Sequence, residues 1–214
     1  MSTIAIFGFT GYVGSHITAE ALSRGHNVIG ISRSEVPDSD AAVTAITGSI
    51  TDQALVRDVA KQASTLVVAV HGSVDGVPFL PGLVPALLEA AAASGSRLGF
   101  VGGAGNVLIA AGGPRLVDTP EFPAFAKTEA ESQVEALKAL QASDSPADWF
   151  YVSPAAGFGP HAPGERTGLY RIGGEVLLTD ADGTSYISGA DYAIAFVDEI
   201  DTPQHHREQF SVAY

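Results

Sequence analysis

Four apolar residues, Ile4 to Phe7, run straight into three glycines spaced three apart, Gly8, Gly11 and Gly14, and a segment with helical apolar spacing follows. This order of strand, glycine turn and helix constrains the fold more than any other feature of the chain. Glycines let the backbone turn through conformations closed to other residues and let it approach a neighbour closely. The first N–H groups of the helix are then free, with the positive end of the helix dipole behind them, an arrangement that suits a pyrophosphate. The expectation is a βαβ unit that binds a dinucleotide, with Gly8, Phe9, Thr10, Gly11, Tyr12, Val13 and Gly14 forming the cradle.

The remainder of the chain repeats the alternation. Apolar runs of strand length occur at 3–8, 27–31, 43–47, 65–70, 97–102, 148–153 and near 209–213. Between them, Val13, Ile17 and Ala21 mark one helix, stopped at Gly25, and Asp52 can cap a second before Leu55, Val56 and Val59. An Ala/Leu-rich segment covers 81–94 and ends at Gly95, and a further helix runs from about Pro123 to Gln141 with Val134, Leu137 and Leu140 inward. Ser188 and Asp191 form a capping box that opens a helix through Ile200. Strands alternating with helices imply an α/β fold with a doubly wound parallel sheet. The 214 residues suit one domain, with the Pro/Gly-rich stretch from residue 154 elaborating its C-terminal part.

Composition narrows the partners. Lys and Arg number 11 against 24 Asp and Glu, a net charge of −13, which opposes binding to nucleic acid or to an anionic membrane. No apolar run reaches membrane-spanning length and no signal-peptide pattern opens the chain, so a cytoplasmic protein is the expectation. Without cysteine there is neither a disulfide framework nor a thiol nucleophile. His205 and His206 have no third ligand at metal spacing, so no metal is expected. A small-molecule acceptor is the expected partner, and a homodimer stays open.

The position that reads the adenine ribose lies about 20 residues beyond the glycine motif. It holds Ser32-Arg33-Ser34, and a guanidinium there can pair with a 2′-phosphate, which favours NADP(H) over NAD(H); Glu35 close by softens that preference. The strand expected at 65–70 ends in Ala69-Val70-His71-Gly72, whose backbone is placed to line the cofactor. His71 is a candidate proton donor because imidazole titrates near neutral pH, the alternative being a residue that only shapes the loop. Gly102 and Gly103 let the backbone approach the nicotinamide end. Further on, Phe158, Arg166, Tyr170 and Arg171 are candidates for a lid over an aromatic, anionic acceptor such as a flavin; the arginines' alternative partners are Glu165, Glu175 and Asp180.

The spacing Gly-x-x-Gly-x-x-Gly, with VGGAG at 101–105, RLVDTPEFP at 115–123, VSPAA at 152–156, PGERTGLYRIGGEVLLTDADG at 163–183 and ISGADYAIAFVDEI at 187–200, resembles the atypical short-chain dehydrogenase/reductases. Within them it resembles the NmrA-like NAD(P)-binding proteins and the NADH-flavin reductases, from the first strand to the last residues. The resemblance implies a Rossmann domain in which residues 154–190 build the substrate pocket. It also implies that Pro154 and Ala155 lie beside the nicotinamide carboxamide, and that Asp52 approaches the adenine amino group, with a helix cap as the alternative. Ser49 departs from the pattern at that strand end. Classical members place a Ser and a Tyr-x-x-x-Lys pair beside the nicotinamide. Here no hydroxyl falls in 102–105, and Lys127 has Pro123 four residues before it, so that machinery is missing. Lys127 can still touch the nicotinamide ribose. The implied function is hydride transfer from NAD(P)H to a flavin, quinone or similar conjugated acceptor, which needs no positioned acid. A non-enzymatic NAD(P) sensor and, less well supported, a nucleotide-sugar epimerase or dehydratase are the alternatives.

Overall fold

The computed structural model of the chain describes residues 1–36 and 42–214. In chain order its elements are β1 (Thr3–Phe7), α1 (Tyr12–Ser23), β2 (Asn27–Ser32), β3 (Val43–Thr47), α2 (Gln53–Ala60), β4 (Thr65–Val68), β5 (Ser73–Val74), β6 (Val77–Pro78), α3 (Leu80–Ser94), β7 (Arg97–Val101), α4 (Lys127–Gln141), β8 (Trp149–Ser153), β9 (Arg171–Gly173), α5 (Gly189–Asp201) and β10 (Glu208–Ala213). Eight strands form one sheet in the order β3-β2-β1-β4-β7-β8-β10-β9. All its pairings are parallel except the last, where β9 lies antiparallel on β10. The chain leaves β1 toward one edge through β2 and β3, then returns to lay β4 on β1's other side. This reversal makes the doubly wound switch point, and in such sheets ligands bind at that point beyond the strands' C-terminal ends.

Period-2 alternation in the strands divides the core into two layers. Ala5, Phe7, Leu66, Val68, Phe100, Trp149 and Tyr151 face one side with Val56, Val59, Leu87, Leu137 and Leu140, from α2, α3 and α4. Ile4, Ile6, Val67, Phe150 and Val152 face the other with Ile17, Ala21 and Phe196, from α1 and α5. Two glycines inside strands each lie under an aromatic ring: a Cβ on Gly30 would fall 2.6 Å from the Phe9 ring, and one on Gly99 2.5 Å from that of Phe150. Rings seated over bare backbone take the space that a side chain on the strand would otherwise need.

Elements expected from the sequence are present, with shifted ends. β4 stops at Val68 and not at 70, because Gly8 and Ala69 cross there. The helix expected from Pro123 begins as a short 3-10 turn, Ala124–Ala126, and becomes α-helical at Lys127. Two pairings were not anticipated. β5 and β6 form a small hairpin turned by Asp75 and Gly76, both with positive φ (51° and 74°), as a type I′ turn requires. Within the stretch expected to be irregular, β9 adds an antiparallel edge, so the sheet is mostly and not wholly parallel.

Candidate functional site

The glycine turn sits at the switch point. Gly8 adopts φ +86°, its N–H donates to the Ile31 carbonyl (2.9 Å), and a Cβ there would lie 2.3 Å from the Ala69 carbonyl oxygen. A Cβ on Gly14 would lie 2.1 Å from the Gly8 oxygen, so only glycine lets α1 rest on the turn. Gly11 differs. It is the N-cap of α1 with an ordinary φ of −72°, it is exposed, and no side chain caps the helix behind it. Phe9 turns inward over Gly30, Thr10 is exposed at the tip, and Val13 is half-buried. The Tyr12 hydroxyl accepts from the Gly189 N–H (3.2 Å) and donates to the Pro163 carbonyl (3.4 Å), tying α1 to α5 and to the segment before it.

At the adenosine end, Arg33 follows β2, is exposed, and meets no acceptor among the described residues. Asp52 acts as the N-cap of α2: its Oδ1 accepts from the N–H groups of Ala54 (2.9 Å) and Leu55 (3.2 Å). Of its two expected roles, the structure displays the cap.

Between these ends and the nicotinamide side runs the loop after β4. Ala69 donates its N–H to the Phe7 carbonyl (2.9 Å), Val70 packs near Gly8, and His71 is exposed. The loop is fixed by a residue the sequence reading passed over. The Glu129 carboxylate, on the first turn of α4, accepts from Gly72 N–H (2.6 Å), Ser73 N–H (2.9 Å) and Ser73 Oγ (2.8 Å). Ser132 Oγ donates to the Gly72 carbonyl (2.5 Å). These partners lie more than fifty residues apart, and no local pattern announces them.

The nicotinamide end has a bare floor. A Cβ on Gly102 would fall 2.1 Å from the Tyr151 ring, whereas Gly103 has open space to 3.6 Å. Below the floor, Tyr151 Oη donates to Gln133 Oε1 (2.9 Å) and accepts from Asn106 Nδ2 (2.8 Å). Burial, outweighing the Gly103 backbone and Asn106 donors, holds the Tyr151 hydroxyl far above its ordinary pKa, so it stays a structural donor. Pro154 and Ala155 are buried beyond β8. The hydroxyls nearby are committed as well: Ser153 Oγ accepts from Gln209 Nε2 (2.9 Å), and Tyr192 donates to the Val152 carbonyl (2.8 Å). Lys127 opens α4, exposed and without an acceptor among the described residues.

The expected lid is not assembled. Phe158 does lie at the glycine turn, 5.9 Å from the Tyr12 ring and 4.7 Å from that of Tyr192. Arg166, however, pairs with Glu20 on α1 (2.6 Å), none of the three acids expected. Tyr170 donates to Asp198 Oδ2 (2.5 Å), and Arg171 donates to the Thr179 carbonyl (2.7 Å) and to the Tyr214 carbonyl. Their polar groups serve the fold: buried Glu20 on α1 takes Arg166, half-exposed Asp198 on α5 takes Tyr170, and backbone carbonyls take Arg171. The segment is held by Asp191, fully buried, which accepts from Thr167 N–H (2.8 Å), Thr167 Oγ1 (2.8 Å), Gly168 N–H (2.8 Å) and the Tyr214 hydroxyl (2.5 Å). His205 and His206 bond to Glu199 and Asp148 through Nδ1.

A sheet ordered 3-2-1-4 about its switch point, with a glycine turn feeding an uncapped helix, defines a dinucleotide-binding Rossmann protein. The NAD(P)H-binding family matches residues 8–203, and the chain belongs to that family. It is 38% identical to the uncharacterized Bacillus subtilis protein YwnB over 98% of this chain and 97% of that one. A Streptococcus pneumoniae protein described as a candidate NADH-flavin reductase is 32% identical, with TM-score 0.87 over 100% of this chain and 99% of that one. A Bacteroides thetaiotaomicron protein described as a candidate epimerase is 31% identical, also with TM-score 0.87, over 99% and 96%. The residues present fit the cofactor: Gly8 and Gly14 let the turn close on Ala69 and α1, where any Cβ would strike backbone, and bare Gly11 leaves the mouth of α1 open.

Proposed function

We propose that the protein is an NAD(P)H-dependent reductase that delivers hydride to a flavin, quinone or similar conjugated acceptor, with NADPH the favoured donor. One observation carries this reading: among the described residues, no free side-chain acid stands over Gly102 and Gly103. Such a site cannot readily protonate a ketone oxygen, but a conjugated acceptor delocalises the charge it receives and takes its proton from water. When bound, the nicotinamide supplies the hydride. The chain's own residues bind and orient: the turn at 8–14 for the pyrophosphate, Ala69 to His71, Gly102 and Gly103 along the ribose and ring, Pro154 and Ala155 beside the carboxamide. Arg33 pairs with the 2′-phosphate. Residues 154–190 contribute the pocket wall through Phe158.

The same lack of an acid supports a second reading, a redox sensor that binds the dinucleotide without turnover. An epimerase or dehydratase is disfavoured, since Lys127 has no tyrosine four residues before it. The test is NADPH oxidation at 340 nm with FMN, riboflavin and a small quinone, beside cofactor binding by fluorescence. Acceptor-dependent oxidation lost in Gly11→Glu, with Arg33→Ala weakening NADPH but not NADH, is the expected result. Tight binding with no oxidation across the acceptors overturns the reductase and leaves the sensor.

A further inference from the structure

We infer that Phe125 and Lys127 form the acceptor-recognition wall of the site, and that the acceptor they select is a flat aromatic molecule bearing an anionic group. This rests on the reductase reading and supplies what the arginines at 166 and 171, captured by the fold, do not. Of the 11 lysines and arginines, only Arg33, Arg57 and Lys127 meet no acceptor within the protein among the described residues. In a chain with a net charge of −13, an unpartnered cation stands out. Arg57 lies on the outer face of α2, whereas Arg33 directly follows β2 and Lys127 opens the helix between β7 and β8.

Lys127 is also badly placed for stability. It occupies the first position of α4, where the helix dipole disfavours a cation. The acid of that turn, Glu129, is engaged by Gly72 and Ser73 and pairs with no lysine. Two residues earlier, Phe125 is 94% exposed, although its neighbour Phe122 packs against Val117, Ala130 and Val134. A nearly bare aromatic and an unpaired cation, flanking one residue of a 3-10 turn, break local rules without a structural return, the pattern expected of binding residues.

Their position follows from α4. Gln133 lies level with the open floor at Gly103, and Glu129 one turn earlier grips the loop that carries His71. Lys127 therefore stands roughly 9 Å further along the helix axis, at 1.5 Å per residue, and about a third of a turn around it from Gln133, at the open mouth of α4. An aromatic ring over Gly103 has Phe125 to stack on and Lys127 to meet its anionic tail. FMN and riboflavin share one ring system and differ in the phosphate, so together they separate the two contacts.

The experiment measures kcat/KM for NADPH oxidation with each flavin, and flavin affinity by fluorescence quenching in the presence of NADP+. In Lys127→Gln the preference for FMN over riboflavin falls about fivefold, as loss of one exposed charge pair implies, and Lys127→Arg restores it. Phe125→Ala weakens both flavins alike in KM and in binding, and Phe125→Tyr retains them. An unchanged FMN preference in Lys127→Gln, or unchanged flavin binding in Phe125→Ala, overturns the assignment even if turnover is present. Flavin binding that follows the expected pattern without any oxidation sustains the wall and overturns the reductase.

Discussion

The three glycines of the turn are the same letter in the sequence but not the same residue in the structure. Gly14 is glycine because α1 touches the Gly8 carbonyl, so Gly14→Ala must push helix and turn apart, at a cost of about 1–3 kcal/mol. Thermal unfolding should record this as a drop of several degrees. Gly11, whose φ any residue adopts and whose Cβ would lie 3.3 Å from the Gly8 oxygen, should accept alanine with little loss of melting temperature and lose cofactor affinity instead. Equal melting losses in the two variants would contradict the division. The sequence announced the motif, because glycine spacing is local information. It did not announce Glu129, whose carboxylate reaches a loop 57 residues earlier, nor that Glu20 would capture Arg166 from 146 residues away. Such pairings are decided by where the fold brings chain ends together. Glu129→Ala should leave the Gly72 and Ser73 amides without acceptors, and amide hydrogen exchange at both should quicken; unaltered protection there would remove Glu129 from its role.

Among elements, those with a long period were legible and those without one were not. Helices α1 to α5 and most of the parallel strands carry either a buried stripe or a continuous apolar run, and α2 and α5 also start on side-chain caps, Asp52 and Ser188. Asp52 illustrates the point: as the N-cap of α2 it accepts two backbone N–H groups, and Asp52→Ala should cost about 1 kcal/mol, read as a shift of roughly 2–4 °C in the melting temperature. An unshifted melt would mean that α2 is held by its packing alone. The hairpin β5–β6 has strands of two residues, too short for any alternation, although Asp75-Gly76 is a strong turn signal. β9 was equally hidden, because its single large apolar residue, Ile172, is half exposed and the strand is held by backbone pairing to β10.

At the scale of the molecule, three buried carboxylates join segments far apart in the chain. Glu20 holds Arg24 and Arg166, Glu199 holds Arg97 and the 204–205 backbone, and Asp191 holds residues 167–168 and Tyr214. Burial raises each carboxyl, but the hydrogen bonds outweigh it and all three lie below the usual carboxylate range. A depressed folded pKa contributes stability that is complete above the unfolded value, near 4, and is lost as pH falls through the folded one. The melting temperature should therefore be level from neutral pH to about 5 and fall steeply below about 4, and Asp191→Asn should flatten part of that fall. A profile that Asp191→Asn leaves unaltered would discount the clamp. The rings lying over strand glycines carry a different consequence, one of inheritance. Gly99 and Phe150 occupy a single volume, so neither site can drift alone: Gly99→Ala strikes a ring, and Phe150→Leu opens a void. The two changes made together should cost less than their separate sum, by about 0.5–3 kcal/mol in a double-mutant cycle. Along a lineage, such a couplet changes in step or not at all.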